Sequence, residues 1–476
     1  AGSARTSCMY RKISVQWWRF WMAGEGLSVK TGRALLLCAL TGLIAGLAAS
    51  GFYWLLESAR YYLMEGLAHY TPPLAAGETA IYPTVHHTER LRWVLLVLPA
   101  LGAMAGALLV KFFAPSAGGH GTDAAINAYH RNEGRIPFAV IPVKAVTSAL
   151  VIGSGGSAGC EGPVTQIGAG CGSALASLLK LDAAERRVLM AAGLAAGVGA
   201  IFRAPLAGAI FAAEIFYSGL DIEYEILMPS LVASTVAYTV FALFFGWHPL
   251  FVMPDYTFAD PRKLLPYLFL ALVVAFGAKF YILVFRQVES ASRTWRVPTW
   301  VKPGIGGLLT GLIGFFLPQV LGSGYGIIQQ ALVVDSPLAE RFGGLSLAML
   351  LLIFFGKVFA TAFTVASGGS GGVFGPALVS GAALGAATGL ALTRLFPGLE
   401  LHPGAFALVG MAGFLAASVR VPIAAIIMVS EITGNHNLLL PSMWVCGVSY
   451  WLSNGWTIYR SQVRTRDCSP AHMRGG

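Results

Sequence analysis

Charge is scarce in this chain: 11% of its 476 residues are Asp, Glu, Lys or Arg, where a soluble domain carries about 25%. With 56% of residues hydrophobic and a mean hydropathy of +0.68, a soluble protein is excluded. Patterned cysteine is lacking too. The six cysteines, Cys8, Cys38, Cys160, Cys171, Cys446 and Cys468, have neither metal-ligand spacing nor the framework of a disulfide-stapled secreted domain. No metal site is expected. No cleavable signal peptide is visible, and the residues ahead of Met9 read as a tag remnant. Long clean apolar runs are few. Residues 34–56 and 93–110 carry no charge and approach the roughly 18 to 20 residues that a bilayer core requires. Residues 304–317, 376–393 and the stretch around Lys357 are shorter or interrupted. Such segments fit tilted, broken or half-length helices packed inside protein, because irregular backbone survives at membrane depth only where it is buried or lines a watery cavity. The expected fold is therefore all-α and polytopic.

The net charge of +10 does not point to nucleic acid, because the basic residues flank apolar runs. Arg11, Lys12, Arg19, Lys30 and Arg33 precede the first span, and Arg460, Arg464, Arg466 and Arg474 follow the last. The positive-inside rule then places both ends in the cytoplasm and makes the number of crossings even. Trp17, Trp18, Phe20 and Trp21 beside Arg19 read as an interfacial amphipathic helix.

The chain does hold an internal duplication. Residues 154–163, Ser-Gly-Gly-Ser-Ala-Gly-Cys-Glu-Gly-Pro, and residues 367–376, Ser-Gly-Gly-Ser-Gly-Gly-Val-Phe-Gly-Pro, are identical at seven of ten positions. Further on, the stretch from Gly193 through Arg203 and Pro205 to Glu214 matches that from Gly410 through Arg420 and Pro422 to Glu431 without a gap. Corresponding breaks in two apolar halves mark a membrane transporter whose substrate site lies between inverted repeats. The chain is expected to divide into a tag remnant and amphipathic segment (1–30), a first transmembrane half (31–250) and a connector (251–262). A second half (263–455) and a cytoplasmic carboxyl-terminal end (456–476) follow. Residues 70–90, with His86 and His87, form a polar outside loop.

A glycine-rich loop that opens a helix presents free N–H groups and the positive end of the helix dipole, which makes it an anion site. Three such loops stand out: residues 117–123, 153–163 and 367–376. In the latter two, proline follows directly, where its missing N–H costs nothing.

These residues resemble those of one family. Gly159-Cys160-Glu161-Gly162-Pro163 is similar to the Gly-Arg-Glu-Gly-Pro motif of the CLC chloride channels and chloride/proton antiporters. Gly372-Val373-Phe374-Gly375-Pro376 resembles their Gly-(Ile/Val)-Phe-(Ala/Gly)-Pro motif, and Gly119-His120-Gly121 stands where they carry Gly-Ser-Gly-Ile-Pro. Residues 202–208 resemble their Asn-Ala-Pro-Leu-Ala-Gly segment, and Tyr459 their final pore tyrosine. The likeness keeps its order from about residue 33 to 470 and points to a bacterial-type member. It implies a homodimer in the bacterial inner membrane, one anion pathway per subunit, bound chloride ions and no other cofactor. By the same resemblance Glu161 is the gate, an anion mimic that leaves its site on protonation. Gly159, Cys160 and Gly162 frame an outer site. Tyr459, with the amides of Val373 and Phe374, holds a central anion.

Three departures matter. His120 replaces a serine and Cys160 an arginine. Ile215 stands where the antiporters have a second, proton-transferring glutamate directly after the position of Glu214. Isoleucine carries no proton, so the expectation leans to channel-like or weakly coupled flux of chloride and similar anions. The alternative is a tightly coupled chloride/proton antiporter, with Glu161, His120 and Glu214 as candidates for the proton path. Arg203, Glu214, Arg420 and Glu431 recur at matched positions, which favours a structural role for them. Lys144 either adds positive potential to the anion path or snorkels. A rival class, an intramembrane enzyme using Gly153-x-Gly155-x-x-Ala158 as a nucleotide loop, lacks the required acidic residue about twenty positions on.

Overall fold

A computed structural model of the protein describes residues 29–78, 80–83 and 89–473. The aromatic cluster at Trp17 and the histidines His86 and His87 lie outside the described residues. Within them, the regular structure is helical apart from two isolated bridges. The order begins α1 (Val29–Arg60), α2 (Arg92–Phe113), α3 (Gly121–Arg131), α4 (Val140–Gly153), α5 (Glu161–Leu178), α6 (Ala183–Phe202), α7 (Pro205–Glu214) and α8 (Leu227–Phe245). It continues α9 (Leu264–Thr294), α10 (Lys302–Phe316), α11 (Tyr325–Leu332), α12 (Leu347–Thr361), α13 (Phe374–Leu395), α14 (Pro403–Ser418), α15 (Pro422–Thr433) and α16 (Leu439–Leu452). The second set repeats the first in order, although partners differ in length, as α2 with 22 residues and α10 with 15 do.

Among the described residues six stretches are long and apolar enough to cross a membrane, while α4, α7, α14, α15 and α16 are shorter apolar helices. Proline at the first position starts α7, α14 and α15, where a missing N–H is harmless. Large apolar side chains such as Leu36, Trp93, Phe112, Leu243, Phe276, Phe316 and Trp451 stand exposed, as a lipid-facing belt requires. By contrast α5, α6, α13 and α14 are nearly wholly enclosed. Close approach explains part of their glycine content. A Cβ on Gly168 of α5 would strike the Gly193 carbonyl of α6, and a Cβ on Gly381 of α13 would press on the Gly410 carbonyl of α14.

The matched residues show why the two halves hold together. Glu214, at the end of α7, accepts the first-turn N–H groups of Ile423 (3.2 Å) and Ala424 (2.9 Å) in α15. Reciprocally, Glu431 of α15 accepts those of Leu206 (3.3 Å) and Ala207 (2.7 Å) in α7. Each carboxylate caps the partner helix and meets its positive dipole end. The arginines repeat the logic at the other pole. Arg203 donates to the Phe245 carbonyl that ends α8 (2.9 Å) and to the His248 carbonyl (2.9 Å), and Arg420 donates to the Tyr450 carbonyl at the end of α16 (2.5 Å). Both arginines adopt left-handed backbone conformations, φ 56° and 70°. The structural role expected for these four residues has a concrete form here.

Past Tyr459 the chain folds back onto the α7–α8 connection. Buried Glu223 accepts from the Tyr217 hydroxyl (2.5 Å) and meets His472 (2.9 Å) and Arg466 (3.0 Å). Burial alone would push the Glu223 carboxyl up, but these partners, His472 foremost, hold it below the ordinary carboxylate range.

Candidate functional site

Two glycine loops meet head-on at the centre of the molecule. Gly159 N–H donates to the Gly372 carbonyl (2.9 Å) and Gly372 N–H returns the bond to Gly159 (2.7 Å), pairing residues that occupy equivalent places in the two repeats. Just beyond this bridge α5 begins at Glu161 and α13 at Phe374, so two positive helix ends face one spot. The Glu161 carboxylate fills it. A Cβ on Gly159 or Gly375 would collide with its oxygens, and the Gly375 N–H faces it. Glu161 is buried. Its Oε1 accepts from the Tyr325 hydroxyl at the start of α11, and Oε2 has no hydrogen-bond partner. Cys160 Sγ lies 3.2 Å from the same Tyr325 oxygen.

A second focus lies where α3 begins. His120 precedes α3, and its buried Nδ1 has no partner. Its ring centroid is 5.7 Å from that of Tyr459 and 5.8 Å from that of Phe285. Tyr459 is fully buried, and its hydroxyl sits beside Thr122 without a hydrogen bond of normal geometry. Asp123 of α3 fixes the Tyr459 segment by accepting from Ser461 N–H and Oγ, both at 2.8 Å. Tyr281 of α9 occupies the Val373 carbonyl (2.9 Å), and the Phe374 ring packs 5.5 Å from those of Phe202 and Phe211.

Lys144 does not snorkel. It is buried, and Nζ donates to the carbonyls of Ala117 (3.1 Å) and Gly119 (2.5 Å), drawing them away from the helix start. Lys357 does the same in the second half, to Val320 (3.1 Å) and Gly322 (2.7 Å). These contacts expose a fourth loop, residues 320–325, as the counterpart of 117–122; Gly119 and Gly322 share φ 65°. Sequence reasoning missed that loop and Tyr325. The signal available was Gly-x-Gly with a lysine downstream, without the Gly-Pro that marks the others.

The structure thus brings Glu161, Gly159, Gly162, Gly372 and Gly375 to one spot, since a Cβ on Gly162 would abut Gly372, and His120 and Tyr459 to another. Glu214 joins neither, its carboxylate being held on α15. Ile215 is fully buried, and its carbonyl accepts from Gln462 Nε2 (2.9 Å). Gly153 ends a helix rather than a strand, so the dinucleotide reading has no structural context.

A duplicated, broken-helix membrane fold with opposed helix starts at its centre defines a membrane anion transporter. The chain matches the family described as "Voltage gated chloride channel" over residues 101–454, and it belongs to that family, the CLC proteins. Among its relatives, the H(+)/Cl(-) exchange transporter ClcA of Cronobacter sakazakii is 36% identical over 423 residues, covering 87% of this chain and 84% of the relative. The H(+)/Cl(-) exchange transporter ClcA of Citrobacter koseri is 34% identical over 426 residues, covering 88% and 85%. Two solved structures share the fold. A slow cyanobacterial Cl-/H+ antiporter has a TM-score of 0.74 at 24% identity, covering 90% of this chain and 96% of that one. A CLC-type fluoride/proton antiporter has a TM-score of 0.74 at 23% identity, covering 93% and 100%.

Proposed function

We propose that this protein exchanges chloride for protons across a membrane, with Glu161 as the gate of each subunit's pathway. The observation that carries the reading is the Glu161 carboxylate lodged where the starts of α5 and α13 converge. An ionised carboxylate there satisfies the free N–H groups as an anion would. Protonation removes its charge and its reason to stay, so chloride takes the place and a proton is carried when the side chain swings away. Tyr459, the amides of Val373 and Phe374, and the loop of Gly119, His120 and Gly121 supply the central site. The outer site is framed by Gly159, Cys160, Gly162 and Gly375.

The leaning to channel-like flux rested on Ile215. Two relatives at 36% and 34% identity carry the name of exchange transporter, which supports the coupled reading better. Ile215 then requires another proton carrier from the inside. His120, with a buried unpartnered Nδ1 beside Tyr459, is the titratable group we assign to it. Glu214 is committed to α15. Fully buried Ile215 still favours weak coupling as the second reading. The same proposal includes a homodimer in the bacterial inner membrane with both termini cytoplasmic, and bound chloride without other cofactors. Simultaneous chloride and pH recording from proteoliposomes under a chloride gradient tests it. Loss of uphill proton movement in His120→Ser but not in Glu214→Gln identifies the carrier.

A further inference from the structure

The duplication that yields the loop 117–122 yields 320–325 in the other half, and the two loops differ at one telling place. Where the first has Thr122 beside the Tyr459 hydroxyl, the second has Tyr325, long enough to reach Glu161. Tyr325 is buried, with its ring 6.0 Å from that of Phe251 and 6.5 Å from that of Phe202. Its position is set by the backbone as well. Gly324 turns the chain at φ 83°, and Lys357 ties down the carbonyls of Val320 and Gly322.

A phenol has one hydrogen to give. Tyr325 gives it to Glu161 Oε1, because an ionised carboxylate can only accept. The 3.2 Å contact with Cys160 must then run the other way, with the thiol S–H donating to the phenol oxygen. Cys160, Tyr325 and Glu161 form a directed chain of three groups in a buried site, in which each bond polarises the next.

We propose that Tyr325 is a latch on the gate: its hydroxyl holds the Glu161 carboxylate over the paired glycine loops, Cys160 orients that hydroxyl, and the bond sets the pH at which the gate opens. The inference rests on the reading of Glu161 as the gate. A hydrogen bond to the charged form favours that form, so the latch opposes protonation and release. The other titratable groups whose fields reach Glu161 are Lys357 from α12, Tyr281 from α9 and Tyr459, with Glu78 beyond Cys160. All are retained when the Tyr325 oxygen alone is removed.

The test is chloride flux against pH for the full chain in proteoliposomes. Tyr325→Phe keeps the ring and should displace the flux–pH curve toward alkaline pH by about one unit. In a Glu161→Gln background the same change should displace nothing. A Tyr325→Phe curve that overlies the wild type, or a displacement that persists in the Glu161→Gln background, overturns the latch. Cys160→Ala leaves Tyr325 in place and should give a smaller alkaline displacement; an acid displacement overturns the assigned direction of the chain. The two readings fail separately. Flux that stays pH-dependent in Glu161→Gln removes the gate itself, whereas a flat Glu161→Gln profile with an unmoved Tyr325→Phe curve removes only the latch.

Discussion

A carboxylate in front of one helix start is stabilised by a few free N–H groups, and Glu161 has two such starts around it. In the proposed gate its charge is the decisive property. Glu161→Gln keeps the shape and removes that charge, so chloride efflux from vesicles should become independent of pH; efflux that still rises steeply on acidification would take Glu161 out of the gate. Tyr459 differs in kind, because its buried hydroxyl has no hydrogen bond of normal geometry in the protein. A bond to a desolvated anion would supply one. Tyr459→Phe should therefore weaken chloride binding by about 1.5–3 kcal/mol, the range for hydrogen bonds to charged groups. Calorimetry reads this directly, and unchanged affinity would assign the residue to packing.

At the scale of elements, the paired helices α7 and α15 exchange caps, Glu214 serving α15 and Glu431 serving α7. Each cap satisfies two first-turn N–H groups, so Glu214→Gln and Glu431→Gln should each lower stability by about 1–2 kcal/mol. Thermal unfolding in detergent measures both. A Glu214→Gln protein that keeps its stability and loses proton coupling would move Glu214 into the proton path. The returning carboxyl-terminal segment has its own pH dependence. Glu223 is held below the ordinary carboxylate value in the folded protein; the stability it contributes is present above the unfolded carboxylate pKa of about 4.3 and is lost as pH falls through the lower folded value. Hydrogen-exchange protection across residues 466–473, taken relative to the intrinsic rate at each pH, should be high at pH 6 and fall below about pH 4, and Glu223→Gln should be less protected already at pH 6. These pairings mark the limit of what the sequence makes legible. Gly-Pro at a helix start is a local signature, and the loops at Gly153 and Ser367 can be read directly. The partner of Glu214 lies 209 residues away in the chain, so recurrence alone implied a structural role and could not say which atoms it served. Residues 320–325 escaped because their lysine stands 35 positions beyond Gly322, against 25 between Gly119 and Lys144.

At the scale of the molecule, the matched sets α1–α8 and α9–α16 meet at a bridge between equivalent glycines. That geometry creates one site from two halves and explains why the duplication and the anion loops coincide in sequence. Whether flux is coupled to protons was less legible, because that reading turns on a single position. Ile215 has no titratable group, and its neighbour Glu214 is bound to α15, while His120 is brought beside Tyr459 only by folding. The decisive measurement is proton movement in proteoliposomes driven by a chloride gradient alone, with chloride and pH followed together. Exchange predicts protons pumped against their own gradient, in a fixed ratio to chloride and abolished in Glu161→Gln. A reversal potential that follows chloride alone, with no uphill proton movement at any pH between 5 and 8, would contradict it.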